Sequence, residues 1–274
     1  MDSIVRNICG DVKLLRGRGR SDDFKLILDR RMGNRLLDQR SVLRMLQELG
    51  KANECSASLA ILACMRQRSL RLNVYLVGAS IMNCRTTSAW SQAVHILLHE
   101  MAGNRIEIND ITFSSALGAC VKGEQWVQAL QLFGDMAKGR VGRNSISYNV
   151  ALSACAKGEQ WVFALQLLRE MAESRLQQDN ITYNAALLAF KNGEQWVCAL
   201  QLFREMADSC VEKDTITCSA AVRACGKCGQ WLEALQLFHG MAYSQVERDT
   251  IAYSAAVSAC EQGEQWVQAY QRIC

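Results

Sequence analysis

Gly158-Glu159-Gln160-Trp161 recurs as Gly123-Glu124-Gln125-Trp126, Gly193-Glu194-Gln195-Trp196 and Gly263-Glu264-Gln265-Trp266, with Cys228-Gly229-Gln230-Trp231 filling the remaining place. Successive tryptophans in this series stand 35 residues apart, and Met136, Met171, Met206 and Met241 keep the same step. A fixed period of this size marks stacked supersecondary units, each too small to bury its own apolar face.

Residues 145–179 serve as the type unit. Tyr148, Ala151, Leu152 and Cys155 follow the i, i+3, i+4, i+7 spacing of one face of an amphipathic helix. Gly158 is placed to take a left-handed conformation past the helix end. Glu159 is expected at the start of a second helix, where an acid complements the dipole. Trp161, Ala164, Leu165, Leu168, Met171 and Ala172 form the second stripe, and Glu173–Asp179 connects to the next unit. Helices of about 12 residues are marginal alone in water, so each pair must bury its stripes against neighbouring pairs. The fold expected is all-α, a right-handed α-solenoid of helix–turn–helix repeats, the handedness resting on analogy with other α-solenoids.

Followed backwards, the period gives a degenerate unit at 39–73, with Met65 and Asn73 in place but Cys55 where Trp is expected. Residues 74–109 form a unit one residue longer, carrying Trp90 and Met101. Residues 110–249 hold four clear units, and 250–274 begin another that stops within its second helix. Residues 1–38 read as a basic amino-terminal arm or cap, with Arg16-Gly17-Arg18-Gly19-Arg20 at its centre and a possible helix over Asp22–Leu37. Four early aspartates weaken a transit-peptide reading.

Net charge is +4 but unevenly placed: residues 1–44 hold 11 Lys and Arg against 6 Asp and Glu, the remainder 20 against 21. Attraction to a polyanion must therefore come from local arrangement along the array. The longest apolar run, Val74–Met82, is far short of the ~20 residues that cross a bilayer. Thirteen cysteines are an odd number, and Cys84, Cys120, Cys155, Cys225 and Cys260 share one place in successive units. They read as small buried residues and reduced thiols rather than a disulfide framework.

The unit Ile-Ser-Tyr-Asn-Val-Ala-Leu-Ser-Ala-Cys (146–155), then Ala-Leu-Gln-Leu-Leu-Arg-Glu-Met (164–171) and a closing Asp179, resembles the pentatricopeptide repeat. The resemblance covers about 39–274, most strongly from 110 onward. It departs from the family in lacking proline before the closing residue, where Arg143, Gln178, Lys213 and Arg248 stand, a change expected to loosen the linker. The resemblance implies binding of single-stranded RNA, one base per repeat. By it, the fifth residue of each unit contacts a base edge: Ser114, Asn149, Asn184, Ser219 and Ser254. Its partner is the closing residue: Asn144, Asp179, Asp214 and Asp249. The second residue packs on the base face: Ile111, Ile146, Ile181, Ile216 and Ile251. The pairs Ser/Asn, Asn/Asp, Asn/Asp and Ser/Asp resemble readers of A, U, U and G, so the implied core is A-U-U-G. Leu43/Asn73 and Gly78/Asn109 match no clear pair. Residence in a mitochondrion or chloroplast, and other RNA-processing proteins as partners, follow from the resemblance alone.

Each of these positions also has a reading independent of the family. Ser and Asn are mediocre helix formers, so four units running with a short uncharged donor–acceptor at one place points to recognition of something polar. The closing Asn or Asp would equally cap the next helix. Lys122, Lys157, Lys191 and Lys227 lie near first-helix carboxyl ends, where the dipole favours them and where they could contact phosphates. The recurring Trp reads as inter-helix packing. Cys225-Gly226-Lys227-Cys228 is half a metal site without a second half, and His95 and His99 lack the order of a zinc protease. No nucleophile elbow, phosphate loop or paired acids stand out, so no catalysis, metal, cofactor, small-molecule substrate or membrane association is expected. The competing function is a protein-binding scaffold of the tetratricopeptide type.

Overall fold

The computed structural model describes residues 39–52, 55–67, 72–86, 89–101, 109–139, 141–208, 211, 213–243, 246 and 248–262. The basic arm (1–38) and the end of the last unit (263–274) lie outside the described residues. The chain divides into two compact units at 143/144, inside the run of regular repeats rather than at its start. All the described secondary structure is helical.

The first unit contains α1 (Gln39–Lys51), α2 (Cys55–Gln67), α3 (Val74–Thr86), α4 (Trp90–His95) continued by a π-helix (Ile96–Met101), α5 (Asp110–Lys122) and α6 (Trp126–Lys138). The second contains α7 (Ser145–Lys157), α8 (Trp161–Glu173), α9 (Asn180–Asn192), α10 (Trp196–Asp208), α11 (Thr215–Lys227), α12 (Trp231–Tyr243) and α13 (Thr250–Gln262). In each unit the first helices of successive repeats stack on one another: α1, α3 and α5 in one, α7, α9, α11 and α13 in the other. Each second helix packs against its own first helix and, within its unit, the next. Each unit is thus a segment of all-α solenoid.

This division of labour is written in the side chains. In the four clear repeats first helices are buried almost all round; in α7, Ser147, Tyr148, Asn149, Ala151, Leu152, Ala154, Cys155 and Ala156 are all buried. Ala151 and Ala154, with Ala186 and Ala189 in the next unit and Ala221 and Ala224 after that, are fully buried where the helices pass closest. The cysteine column (Cys84, Cys120, Cys155, Cys225, Cys260, with Phe190) is fully buried as well. Burial holds the Cys120 thiol up at about 11 and those of Cys155 and Cys225 at about 12, so all three stay protonated. The second helices α6 and α8 bury one stripe only, Ala129, Leu132, Phe133 and Met136 in α6 and Ala164, Leu167, Leu168 and Met171 in α8. In the degenerate first repeat, by contrast, α1 buries one stripe and α2 most of its faces. In α8, Leu167 joins the stripe, while Leu165 is only half-buried and Ala172 is exposed: both sets of positions keep the helical period, but the buried face is centred nearer 164, 167, 168 and 171.

The turn between the helices corrects the reading of its glycine. Gly123, Gly158 and Gly193 have φ of −82°, −90° and −81°. The left-handed residue is the next one, at φ 62° in Glu124, 56° in Glu159 and 57° in Glu194. The Gln125 amide donates to the Cys120 carbonyl (2.9 Å) and the Glu124 amide to Val121 (3.2 Å), the two bonds of a Schellman end. Glycine is needed for closeness instead: a Cβ at Gly193 would lie 2.7 Å from Cδ1 of Trp161, and one at Gly123 2.6 Å from that of Trp90. Trp90 and Trp161 therefore pack on the turn of the following repeat. In the variant Cys228-Gly229, glycine has moved to the left-handed place itself, at φ 71°.

Two departures from regularity have local causes. The extra residue of unit 74–109 falls between Trp90 and Met101, the segment that includes the π-helix, whose wider turn absorbs one residue without breaking the helix. The missing prolines do not loosen the linkers. Arg143 lies over the Phe133 ring (4.2 Å) and donates to the Phe133 carbonyl (3.1 Å); Lys213 lies over Phe203 (4.1 Å) and Arg248 over Phe238 (4.6 Å). Gln178 donates to the Leu168 carbonyl at 3.1 Å. Side chains thus tie each linker back to its own second helix.

Candidate nucleic-acid interface

The interface begins with the closing residues. Each precedes a first helix whose leading amides have no intrahelical acceptor. Asn109, Asn144, Asp179 and Asp214 accept from the amides of Thr112, Ser147, Thr182 and Thr217 at 2.7–2.9 Å, and Asp249 from Ala252 at 2.8 Å. In the degenerate region Asn73 does the same for Leu76 at 2.9 Å. The Thr112 and Ser147 hydroxyl oxygens in turn accept from the cap amides of Asn109 and Asn144, completing capping boxes. Capping accounts for a short polar residue here in every unit, degenerate ones included. Asp179 takes its bonds on Oδ1, so the cap leaves Oδ2 to accept from elsewhere.

The fifth residues sit one turn into these helices, more recessed than a solvent-facing site. Ser114, Asn149 and Ser219 are 2–9% exposed, Asn184 is half-buried and Ser254 exposed. In unit 145–179 the fifth and closing residues touch: the Asn149 amide donates to Asp179 Oδ1 at 3.2 Å. The Thr182 hydroxyl lies 2.6 Å from Asn149 Oδ1 and 2.8 Å from Asp179 Oδ1, and its single proton serves one of them at a time. Burial raises the Asp179 carboxyl, but the bonds from Thr182 and Asn149 outweigh it and hold the carboxyl below its ordinary value. Elsewhere the fifth position is unsatisfied. Ser114 Oγ, Asn184 Oδ1 and Ser219 Oγ are buried with no hydrogen-bond partner. Buried polar atoms are rarely left so, and each costs about 1–3 kcal/mol. Ser254 instead donates to its own helix at the Ile251 carbonyl (2.9 Å).

Beside this recessed polar row runs an exposed apolar one. Ile111, Ile146, Ile181, Ile216 and Ile251 are 46–66% exposed, in a first helix whose other faces are buried. A β-branched apolar residue kept in water at one repeat position wins nothing from folding. In the second unit, Ile181, Ile216 and Ile251 line a groove of about 430 Å³ whose other walls include Asn184, Ser219 and Asp249. Fifth, second and closing residues of adjacent repeats thus converge on one space. Of the four lysines, Lys191 and Lys227 line an adjoining cavity, and Lys191 borders the groove as well. Lys122 and Lys157 are exposed at the ends of α5 and α7. The Cys228 thiol donates to the Glu194 carbonyl (3.3 Å), and among the described residues no three His, Cys, Asp or Glu gather as metal ligands. Among them, too, no helix is long and apolar enough to cross a membrane.

A pentatricopeptide repeat domain model matches residues 96–158, and the single-repeat model matches 146–176, 181–211 and 216–246. The structure is similar to the crystal structure of the pentatricopeptide repeat protein PPR10 from maize, at TM-score 0.67 and 19% identity over 99% of this chain and 44% of that one. It is also similar to PPR10 in complex with an 18-nucleotide psaJ RNA element, at TM-score 0.54 and 17% identity over 93% and 42%. At such identities the likeness carries the fold alone, and this chain spans less than half the length of PPR10. No curated protein matches the chain in sequence. The matched repeats cover more than half of the chain, and the three single-repeat matches fall on the pairs α7–α8, α9–α10 and α11–α12: the chain belongs to the pentatricopeptide repeat family.

Proposed function

We propose that the array binds single-stranded RNA and selects sequence by presenting one fifth/closing pair to each base. The observation that carries this reading is the side-by-side arrangement of unsatisfied polar atoms and exposed isoleucines. Ser114, Asn184 and Ser219 hold buried oxygens with no partner, and Ile111, Ile181 and Ile216 keep an apolar surface in water close by. A flat heteroaromatic ring with donors and acceptors on its edge satisfies both at once, its face on isoleucine and its edge on Ser or Asn. A peptide's backbone would supply polar groups at a spacing set by the strand rather than by the repeat. The RNA partner of the structurally similar PPR10 complex agrees with this choice. A role in processing, stabilising or editing a mitochondrial or chloroplast transcript, alongside other RNA-processing proteins, goes with that reading.

Fluorescence anisotropy with three labelled oligonucleotides tests it: RNA with an A-U-U-G core, a scrambled RNA of equal composition, and the DNA counterpart. Tightest binding to the core RNA is expected. Equal, salt-sensitive binding to all three would leave only a basic surface, and binding to none would favour a protein-binding scaffold.

A further inference from the structure

Arg223 has no counterpart in the other units, and it changes what the lysines around it can do. At its place the other clear repeats carry Gly118, Ser153 and Leu188, and the last unit Ser258. Arg223 and Lys227 are four residues apart on α11 and so share a helix face, where like charges repel. Lys191, at the end of the preceding first helix, joins them as a wall of the same cavity of about 320 Å³. Burial, then the charges of Arg223 and Lys227, lower the proton affinity of Lys191. Compensation is slight: Glu194 lies 3.4 Å from Lys227 in an exposed pair, and the Lys227 ammonium donates to the Asn192 carbonyl at 3.3 Å. Arg223 itself has no ion pair among the described residues. Three cations line one cavity that has no acid in its wall, with Glu194 paired to Lys227 from outside it and Asp249 in the adjoining groove, so the site is short of negative charge.

We infer that Lys191, Arg223 and Lys227 form a clamp for a single RNA phosphodiester, at the linkage between the nucleotides facing Asn184 and Ser219. The placement follows from shared walls, since Lys191 and Arg223 line both this cavity and the groove holding Asn184 and Ser219. Phosphate affinity is then uneven along the array, concentrated where a guanidinium can bind two oxygens of one phosphate. The clamp fixes the register of the strand, which Lys122 and Lys157 alone, repeating with the period, do not. This inference rests on the RNA-binding reading and deepens it.

The test is a scan of the A-U-U-G RNA in which one linkage at a time is a neutral methylphosphonate. Affinity is expected to fall on the order of tenfold at the U-G linkage and clearly less elsewhere. Arg223→Gln, a change at an exposed side chain whose folding is checked by circular dichroism, should level that profile while preserving preference for the core over scrambled RNA. Equal sensitivity at every linkage, with the core RNA still preferred, would overturn the clamp and leave the base-reading proposal intact. Failure to bind any RNA would sink both. Polyglutamate competing as well as the core RNA would overturn the clamp in favour of an acidic protein partner.

Discussion

The repeats at 39–101 and those at 144–262 share helices but differ in what the helices carry. Both regions bury a methionine-centred core, through Met45 and Met65 in one and Met171 and Met206 in the other. Both cap first helices with Asn or Asp, at Asn73 as at Asp179. At the fifth position the early repeats have Leu43, packed on the core, and Gly78. The later ones have Asn149, Asn184 and Ser219. Since α1 and α3 form without a polar residue there, the fold does not ask for one, and its recurrence in the later repeats needs another reason. Caps and packing columns belong to the fold; under the proposed function, the Ser/Asn and isoleucine rows serve the bound RNA.

The strongest way to break this comparison is to damage packing in the regular region. Gly193→Leu drives a side chain into Trp161 and should cost about 2–3 kcal/mol, read as a lowered melting midpoint. Gly134→Ala, where a Cβ meets nothing within 4 Å, should instead gain about 0.5–1 kcal/mol. Equal effects at the two glycines would contradict the packing role given to the turn.

In the degenerate region, Asn83 and Gly50 act as a matched pair. Buried Asn83 donates to the Leu46 carbonyl (2.8 Å) and the Ser58 hydroxyl (2.7 Å), in a place the regular repeats give to alanine. Asn83→Ala should cost about 2 kcal/mol by stranding those acceptors and opening a void. Gly50→Ala, which alone would press on Asn83, should recover part of that loss in the double variant. Strict additivity in a thermal-melt cycle would rule out the coupling.

Smaller effects sharpen the account of the turns. Glu159→Gly relieves a left-handed glutamate and should stabilise by about 1 kcal/mol, while Gly229→Ala should destabilise by a similar amount. Changes of the same sign would contradict the exchange of roles between Gly-Glu and Cys-Gly.

Much of this was legible before any coordinates. The period located both helices of each repeat, Trp161 and its equivalents open the second helix, and the closing Asp or Asn announced a cap. The purpose of glycine was not legible, because a helix-end glycine usually signals a left-handed backbone and only the neighbouring repeat reveals Trp161 against Gly193. One signal was present: in Cys228-Gly229 the glycine stands one place later, in the glutamate column, which marks that column as the left-handed one. The linker ties of Arg143 and Arg248 left a faint signal, since Phe133, Phe203 and Phe238 each stand ten residues before a cation in the repeat register, but nothing in the sequence says that the cation lies over the ring. The recession of Ser114 and Ser219 depends on packing between neighbouring first helices and has no signature in one unit.

The smallest predicted effect is in pH. With its folded value below its unfolded one, the Asp179 carboxyl contributes stability above the unfolded value and loses it as pH falls through the folded one. The melting midpoint should therefore drop below about pH 4 more steeply for the wild type than for Asp179→Asn, which keeps a cap acceptor without titrating. Superimposable curves would exclude a native-state role for that charge.

The central claim is that a fifth/closing pair reads a base, and Asn184→Ser tests it most directly. The substitution converts the pair with Asp214 into one like Ser219 with Asp249, at a half-buried site. Binding should be measured against four RNAs that differ only at the base assigned to unit 180–214. The account predicts that preference moves from U to G at that base and nowhere else. Unchanged preference, or an equal loss of affinity for all four, would contradict it.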